Sequence, residues 1–272
     1  MLNTYFSFSE VPIIVNNLSS FKPNIVTIAG SDPLSKSGIM ADFKAGYDLD
    51  ANIFNVISAI NAQNNQKISN ILYLDQKIIH DQLEAIFSEN KIDIVKIGMV
   101  GNSDAVNEII DFFTKKNIKK IYTEYKIIFD PVIKASNGFD LITDEAIQKI
   151  ESELFPLCYL ITPNIYELEI LSGIKIINLE DIKKAVQKLK NLGAKNILVN
   201  GGHFQEKSDK VLSFLFLDNR IIKIRNKRLE KNLRGTGCML STAIAVFLGK
   251  NFDLVQSIRR ANRYVYHKIK SG

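Results

Sequence analysis

Four stretches of the chain carry residue types that can do chemistry at a turn. The first is Gly235-Thr-Gly-Cys238, which runs straight into an apolar helical pattern ending near Leu248. Gly235 and Gly237 allow a tight turn and close backbone approach. A helix beginning there points unpaired amides and the positive end of its dipole forward. Such a turn is built to hold an anion. Cys238 stands where helix-start amides lower a thiol pKa, with the Thr236 hydroxyl beside it; the plainer alternative is a helix start that buries its cysteine as a small hydrophobe. Asp32 and Asp130 each follow an apolar run, where a carboxylate can meet a polar substrate, help hold Mg²⁺, or organise a turn. Asn164 and Glu167, three apart, read either as a helix cap or as an amide and a carboxylate offered to hydrated Mg²⁺ and phosphate. Mg²⁺ keeps most of its waters and takes few protein ligands.

These residues need elements to hold them. Short apolar runs at 25–29, 53–60, 92–97, 127–132, 159–162 and 197–199 read as strands. Amphipathic stretches at 39–49, 76–90, 104–116 and 181–192 read as helices. Two further helices follow the 235–238 turn, the second over about 253–268, and 211–217 with 220–224 read as an antiparallel hairpin. Strands alternating with helices imply right-handed crossovers and a mostly parallel sheet, an α/β fold. Residues 119–126 fit no element cleanly. In open parallel sheets ligands bind beyond the carboxyl ends of the strands. Six turns follow strands in that way: Gly30 to Asp32, Gly98-Met99, Asp130-Pro131, Asn164 to Glu167, Gly201-Gly202 and 235–238. They are expected to converge on one rim.

Composition narrows the class. A chain of 272 residues, 46% hydrophobic, can bury its core as one domain. No repeat or linker divides it, so residues 1–22 are treated as an N-terminal extension, with a possible extra strand, and 23–272 as one domain. With 35 basic and 29 acidic residues the net charge of +6 is too modest for a nucleic-acid binder. The basic run from Arg220 to Arg234 reads as a solvated strand face from which one or two side chains could reach a polyphosphate. Two cysteines far apart, without metal-ligand spacing, fit a reducing cytoplasm. No leader pattern and no run of about twenty apolar residues is seen, which disfavours export and membrane spanning.

Seven ordered motifs then converge on a family. Ile25-Val-Thr-Ile-Ala-Gly-Ser-Asp-Pro33, Gly38-Ile-Met-Ala-Asp-Phe-Lys44, Val95-Lys-Ile-Gly-Met-Val100, Phe129-Asp-Pro-Val132, Ile161-Thr-Pro-Asn-Ile-Tyr-Glu167, Leu198-Val-Asn-Gly-Gly-His203 and Arg234-Gly-Thr-Gly-Cys238 resemble those of the hydroxymethylpyrimidine and phosphomethylpyrimidine kinases of thiamine biosynthesis. That family is part of the ribokinase-like superfamily. The resemblance implies a three-layer α/β/α fold, ATP and Mg²⁺, a homodimer, and phosphoryl transfer to a hydroxymethyl group and then to its monophosphate. By resemblance, Asp32, Met40, Met99 and Val132 lie at the pyrimidine. Asn164, Asn200, Gly202 and Thr236 serve the nucleotide, Glu167 and Asp130 the metal, and Gly235, Thr236, Gly237 and Cys238 the transferring phosphoryl. The chain departs from the family at Met40, where a substrate-binding glutamine is usual, at Asn200, where a lysine is usual, and at Leu34 to Ser37, usually glycine-rich. Lys36 or Arg234 is expected to restore the lost cation. A pyridoxal or pyridoxine kinase on the same scaffold is the alternative, and a non-catalytic ligand-binding descendant is a third.

Overall fold

The computed structural model describes residues 21–114, 125–135, 138–201, 210–218, 220–229 and 233–271. The first half runs β1 (Asn24–Ser31), α1 (Gly38–Asp48), β2 (Asn52–Gln63), β3 (Ile68–Tyr73), α2 (Gln76–Glu89), β4 (Ile94–Ile97), α3 (Ser103–Thr114) and β5 (Lys126–Phe129). The second half runs α4 (Asp144–Lys149), β6 (Leu160–Ile161), α5 (Ile165–Ser172), α6 (Leu179–Asn191), β7 (Asn196–Val199), β8 (Lys210–Phe216), β9 (Ile221–Lys227), α7 (Thr236–Gly249) and α8 (Leu254–Ser271). One nine-stranded sheet joins the strands in the order β3-β2-β1-β4-β5-β6-β7-β8-β9. The pairs from β2 through β7 are parallel, and β3, β8 and β9 add antiparallel edges.

Period-two alternation in the central strands divides the core. Val26, Ile28, Val95, Ile97, Ile127, Phe129, Ile161 and Ile197 face a layer that includes residues of α2 to α6. Their neighbours Ile25, Ile94, Ile128, Leu160 and Leu198 face the opposite layer, built on α7 and α8. Such strands are buried on both faces, so they read as unbroken apolar runs. From Leu240 to Gly249 every residue of α7 is buried, as expected of a helix apolar all round. The three layers are those of the α/β/α architecture expected from the sequence. Register sets the rim: Ile97 pairs Phe129, Phe129 pairs Ile161 and Ile161 pairs Ile197. The carboxyl ends of the central strands therefore finish level, and the turns that follow them share one edge.

Several elements differ from the sequence expectation. β2 does not end near Ile60 but continues to Gln63 and turns back as β3. The Asn64 side chain accepts from the N–H groups of Gln66 and Lys67, both at 2.9 Å, and so makes the turn by itself. α4 lies where no helix was expected; the Thr143 hydroxyl caps it by accepting from Ala146 N–H at 3.3 Å. The proposed extra strand in the N-terminal extension and most of 119–126 lie outside the described residues. Among the described residues no helix is long and apolar enough to cross a membrane.

Candidate active site

Three segments meet above the rim. The loop after β1 is organised by Asp32, whose carboxylate accepts from Leu34 N–H at 2.9 Å, Lys36 N–H at 3.2 Å and the Ser37 hydroxyl at 2.8 Å. Burial pushes the Asp32 carboxyl up, but the Leu34 amide, Ser37, Gln63 and the Arg234 charge outweigh it. The net position is below the usual carboxylate value. Gly235 turns at φ +81°, and a Cβ there would stand 2.0 Å from the Lys36 carbonyl oxygen. Only glycine lets the anion turn press onto the 32–37 loop. Arg234 donates to Gln63 Oε1 at 2.8 Å, and Lys36 donates to Asn65 Oδ1 at 2.9 Å, so the β2–β3 turn is the third segment.

α7 begins at Thr236 with no side-chain cap, which leaves its first amides turned outward. Beneath it lies a buried polar network. Lys96, wholly buried in β4, donates to both Asp42 oxygens at 3.0 and 2.9 Å, and the Thr242 hydroxyl donates to Asp42 Oδ1 at 2.7 Å. Burial pulls the ammonium of Lys96 down, but Asp42, Cys238 and Asp130 hold it above its ordinary value. Burial also raises Asp42, against Lys96. Three hydrogen bonds from Lys96 and Thr242 satisfy an ionised Asp42, so the two form an ion pair at neutral pH.

Asp130, at the end of β5, accepts from Ser241 at 3.1 Å and Thr162 at 3.3 Å. Asn164 and Glu167 form a reciprocal capping box: Glu167 N–H donates to Asn164 Oδ1 at 2.9 Å and Asn164 N–H to Glu167 Oε2 at 2.8 Å. Burial raises both acids; the charge of Asp130 lifts Glu167 further, while Lys96 opposes the rise at Asp130. Two buried, mutually repelling carboxylates beside free helix-start amides suit a hydrated divalent cation that carries a phosphate. Among the described residues no three of His, Cys, Asp or Glu gather to form a full protein cage.

The thiol environment favours the plainer of its two sequence readings. Cys238 is partly exposed as a residue, yet desolvation pushes its thiol up to about 12; Lys96 and the Gly38 N–H pull it down, and Asp42 and Asp130 push it up. Helix-start amides lower a thiol pKa only when burial and carboxylates do not outweigh them. At neutral pH the group is a thiol, not a thiolate.

The remaining sites fall as follows. Met99 and Val132 lie together in a small apolar cluster with Ala59, Ile68 and Leu141. Met40, in the first turn of α1, is partly buried and belongs to none of the three apolar clusters of described residues. Asn200 donates to the Thr162 carbonyl at 3.0 Å and pairs beside Asn164, so its amide stitches the ends of β6 and β7. Gly202 lies outside the described residues. Sequence reasoning passed over Lys96, Asp42 and Gln63. A charge inside a run patterned for burial is the signal that marks the first two.

Comparison with known proteins adds a family. The phosphomethylpyrimidine kinase family matches residues 32–272. A thiamine biosynthesis bifunctional protein of Geobacter sulfurreducens is 35% identical over 96% of this chain, which spans only 52% of that protein's length. The hydroxymethylpyrimidine/phosphomethylpyrimidine kinase of Aquifex aeolicus is 32% identical, over 91% of this chain and 94% of its own. Among solved structures, a phosphomethylpyrimidine kinase of Clostridium difficile superposes with a TM-score of 0.77 at 33% identity, covering 91% of this chain and all of its own. A Bacillus subtilis pyridoxal kinase in an ADP complex gives 0.77 at 26%, over 89% and 90% of the two chains. A Staphylococcus aureus pyridoxal kinase in complex with pyridoxal gives 0.82 at 24%, over 93% and 89%, a likeness of fold.

Proposed function

The chain is a kinase of the phosphomethylpyrimidine kinase family, and from that premise we propose that it moves the γ-phosphoryl of ATP to the hydroxymethyl group of a hydroxymethylpyrimidine, and then to the monophosphate so formed. The observation that carries this is the uncapped start of α7 set against the Asp130 carboxylate: a Cβ on Gly237 would come 3.8 Å from Asp130 Oδ2. Anion-binding amides and a metal-binding acid thus share one small space. In the reaction the substrate oxygen bonds to phosphorus, the bond to the β,γ-bridging oxygen breaks, ADP leaves and the hydroxyl proton is released. The transition state is loose and needs positioning and charge compensation more than a strong base. That fits a Cys238 that stays protonated: the amides of Thr236, Gly237 and Cys238 stabilise charge on the phosphoryl oxygens. Asp130 and Glu167 would hold Mg²⁺, which supplies charge neutralisation to the triphosphate. Asn164, Asn200 and Thr236 line the nucleotide side, and Lys36 and Arg234, held by the β2–β3 turn, flank it as cations for the triphosphate. The apolar wall of Met99 and Val132 takes the face of the substrate ring.

A pyridoxal kinase activity is the second reading, favoured by the Bacillus subtilis structure named above. The test is ADP release with Mg-ATP and, in parallel, hydroxymethylpyrimidine, its monophosphate, pyridoxal and no acceptor. Turnover on both pyrimidines, reduced about ten-fold or more in Gly237→Ala, is expected. Turnover on pyridoxal alone would replace the first reading with the second.

A further inference from the structure

In a strand, side chains two apart share a face, so Ala59 and Asn61 of β2 point the same way. Ala59 belongs to the apolar cluster of Met99 and Val132. Asn61 reaches that wall through Nδ2, 3.8 Å from the Met99 sulfur. The residue is only 8% exposed, yet its carbonyl oxygen Oδ1 has no hydrogen-bond partner. A buried amide oxygen left unpaired forfeits the solvation it had in water, and folded proteins keep few of them.

Flipping the amide does not repair the deficit. A thioether only accepts, so a flipped oxygen would face a second acceptor while Nδ2 would lose its partner. The sulfur therefore fixes the amide with its oxygen turned away from Met99. Gly30 leaves space for this pair, since a Cβ there would stand 2.9 Å from Met99 Sδ and 3.3 Å from Asn61 Nδ2. The result is a lone, oriented acceptor beside the apolar wall that receives the ring.

We propose that Asn61 Oδ1 accepts an N–H hydrogen bond from the exocyclic amino group of the pyrimidine. It thereby selects rings with a donor next to the hydroxymethyl group over rings with a carbonyl there, such as pyridoxal. This inference rests on the pyrimidine reading of the site. Asn61 acts on binding, so its signature is in KM rather than kcat.

The experiment measures kcat and KM separately for wild type and Asn61→Leu, with 4-amino-5-hydroxymethyl-2-methylpyrimidine and its analogue bearing hydrogen in place of the amino group. Wild type should show a KM about ten- to hundred-fold lower for the amino compound. Asn61→Leu should erase that difference by raising KM for the amino compound, with KM for ATP unchanged. Equal KM values for the two compounds in wild type overturn the inference, whether or not the leucine variant folds. A preference that survives in a folded Asn61→Leu overturns it as well. Pyridoxal turnover without any pyrimidine turnover in wild type brings down the pyrimidine reading itself, and this inference with it.

Discussion

Replacing Lys96 by methionine isolates the buried charge beneath the anion turn. The ammonium sits 2.9 and 3.0 Å from the two Asp42 oxygens, and both side chains are 0% exposed. Breaking a buried pair by removing one partner leaves an uncompensated charge and costs about 3–5 kcal/mol. For 272 residues at about 2.1 cal/mol/K each, the unfolding entropy is about 0.6 kcal/mol/K, so Tm should fall by about 5–9 °C. The pH dependence is more diagnostic. Lys96 lowers both Asp42 and Asp130, and without it both carboxyls rise further above their ordinary value of 3.8. A native state that holds its protons more tightly than the unfolded chain loses stability as pH rises through that window. The Lys96→Met deficit should therefore be largest near pH 7.5 and shrink toward pH 5. Urea denaturation of wild type, Lys96→Met and Lys96→Met with Asp42→Asn at both pH values reads this directly. The double variant should recover part of the loss. A deficit below about 1 kcal/mol, or one equal at the two pH values, would refute an ionised pair.

Four further outcomes follow from the geometry. Gly235→Ala forces a side chain into positive φ and against the Lys36 carbonyl at 2.0 Å, so Tm and activity should fall together; Gly237→Ala meets nothing closer than 3.8 Å, so scanning calorimetry should show wild-type Tm while kcat drops about ten-fold or more. Cys238, with its thiol pushed up to about 12, should react with iodoacetamide at pH 7.5 about a thousand-fold more slowly than a free cysteine, read by mass spectrometry. Asn164→Ala removes the acceptor for Glu167 N–H and should cost about 1 kcal/mol in urea denaturation.

Legibility in the sequence tracked how local each feature is. The central strands were readable because apolar runs such as Ile25–Ala29 are followed by glycine or polar residues, although the strand expected over 127–132 ends at Phe129, before Asp130-Pro131. β3 was not readable. Most of Ile68–Tyr73 is exposed or half-buried at the sheet edge, and the end of β2 carries Asn61, Gln63 and then Asn64-Asn65, whose polar composition reads as a loop. α4 has only six residues, too few for helical periodicity to show.

The site divides in the same way, and the division has a physical cause. Rim residues announce themselves, since a glycine at φ +81° or a capping asparagine is required by its own turn. The groups beneath the rim are defined by partners far away: Lys96 and Asp42 are 54 residues apart, Asp42 and Thr242 are 200 apart. Cys238 was left between two readings for that reason. Its local setting favours a thiolate, and burial beside Asp42 and Asp130 reverses the preference. Those same distant contacts tie α1, β4 and α7 together through Asp42, Lys96 and Thr242, below the first turn of α7. The amides of that turn hold their aim because a buried ion pair, invisible to any local pattern, fixes the helix behind them.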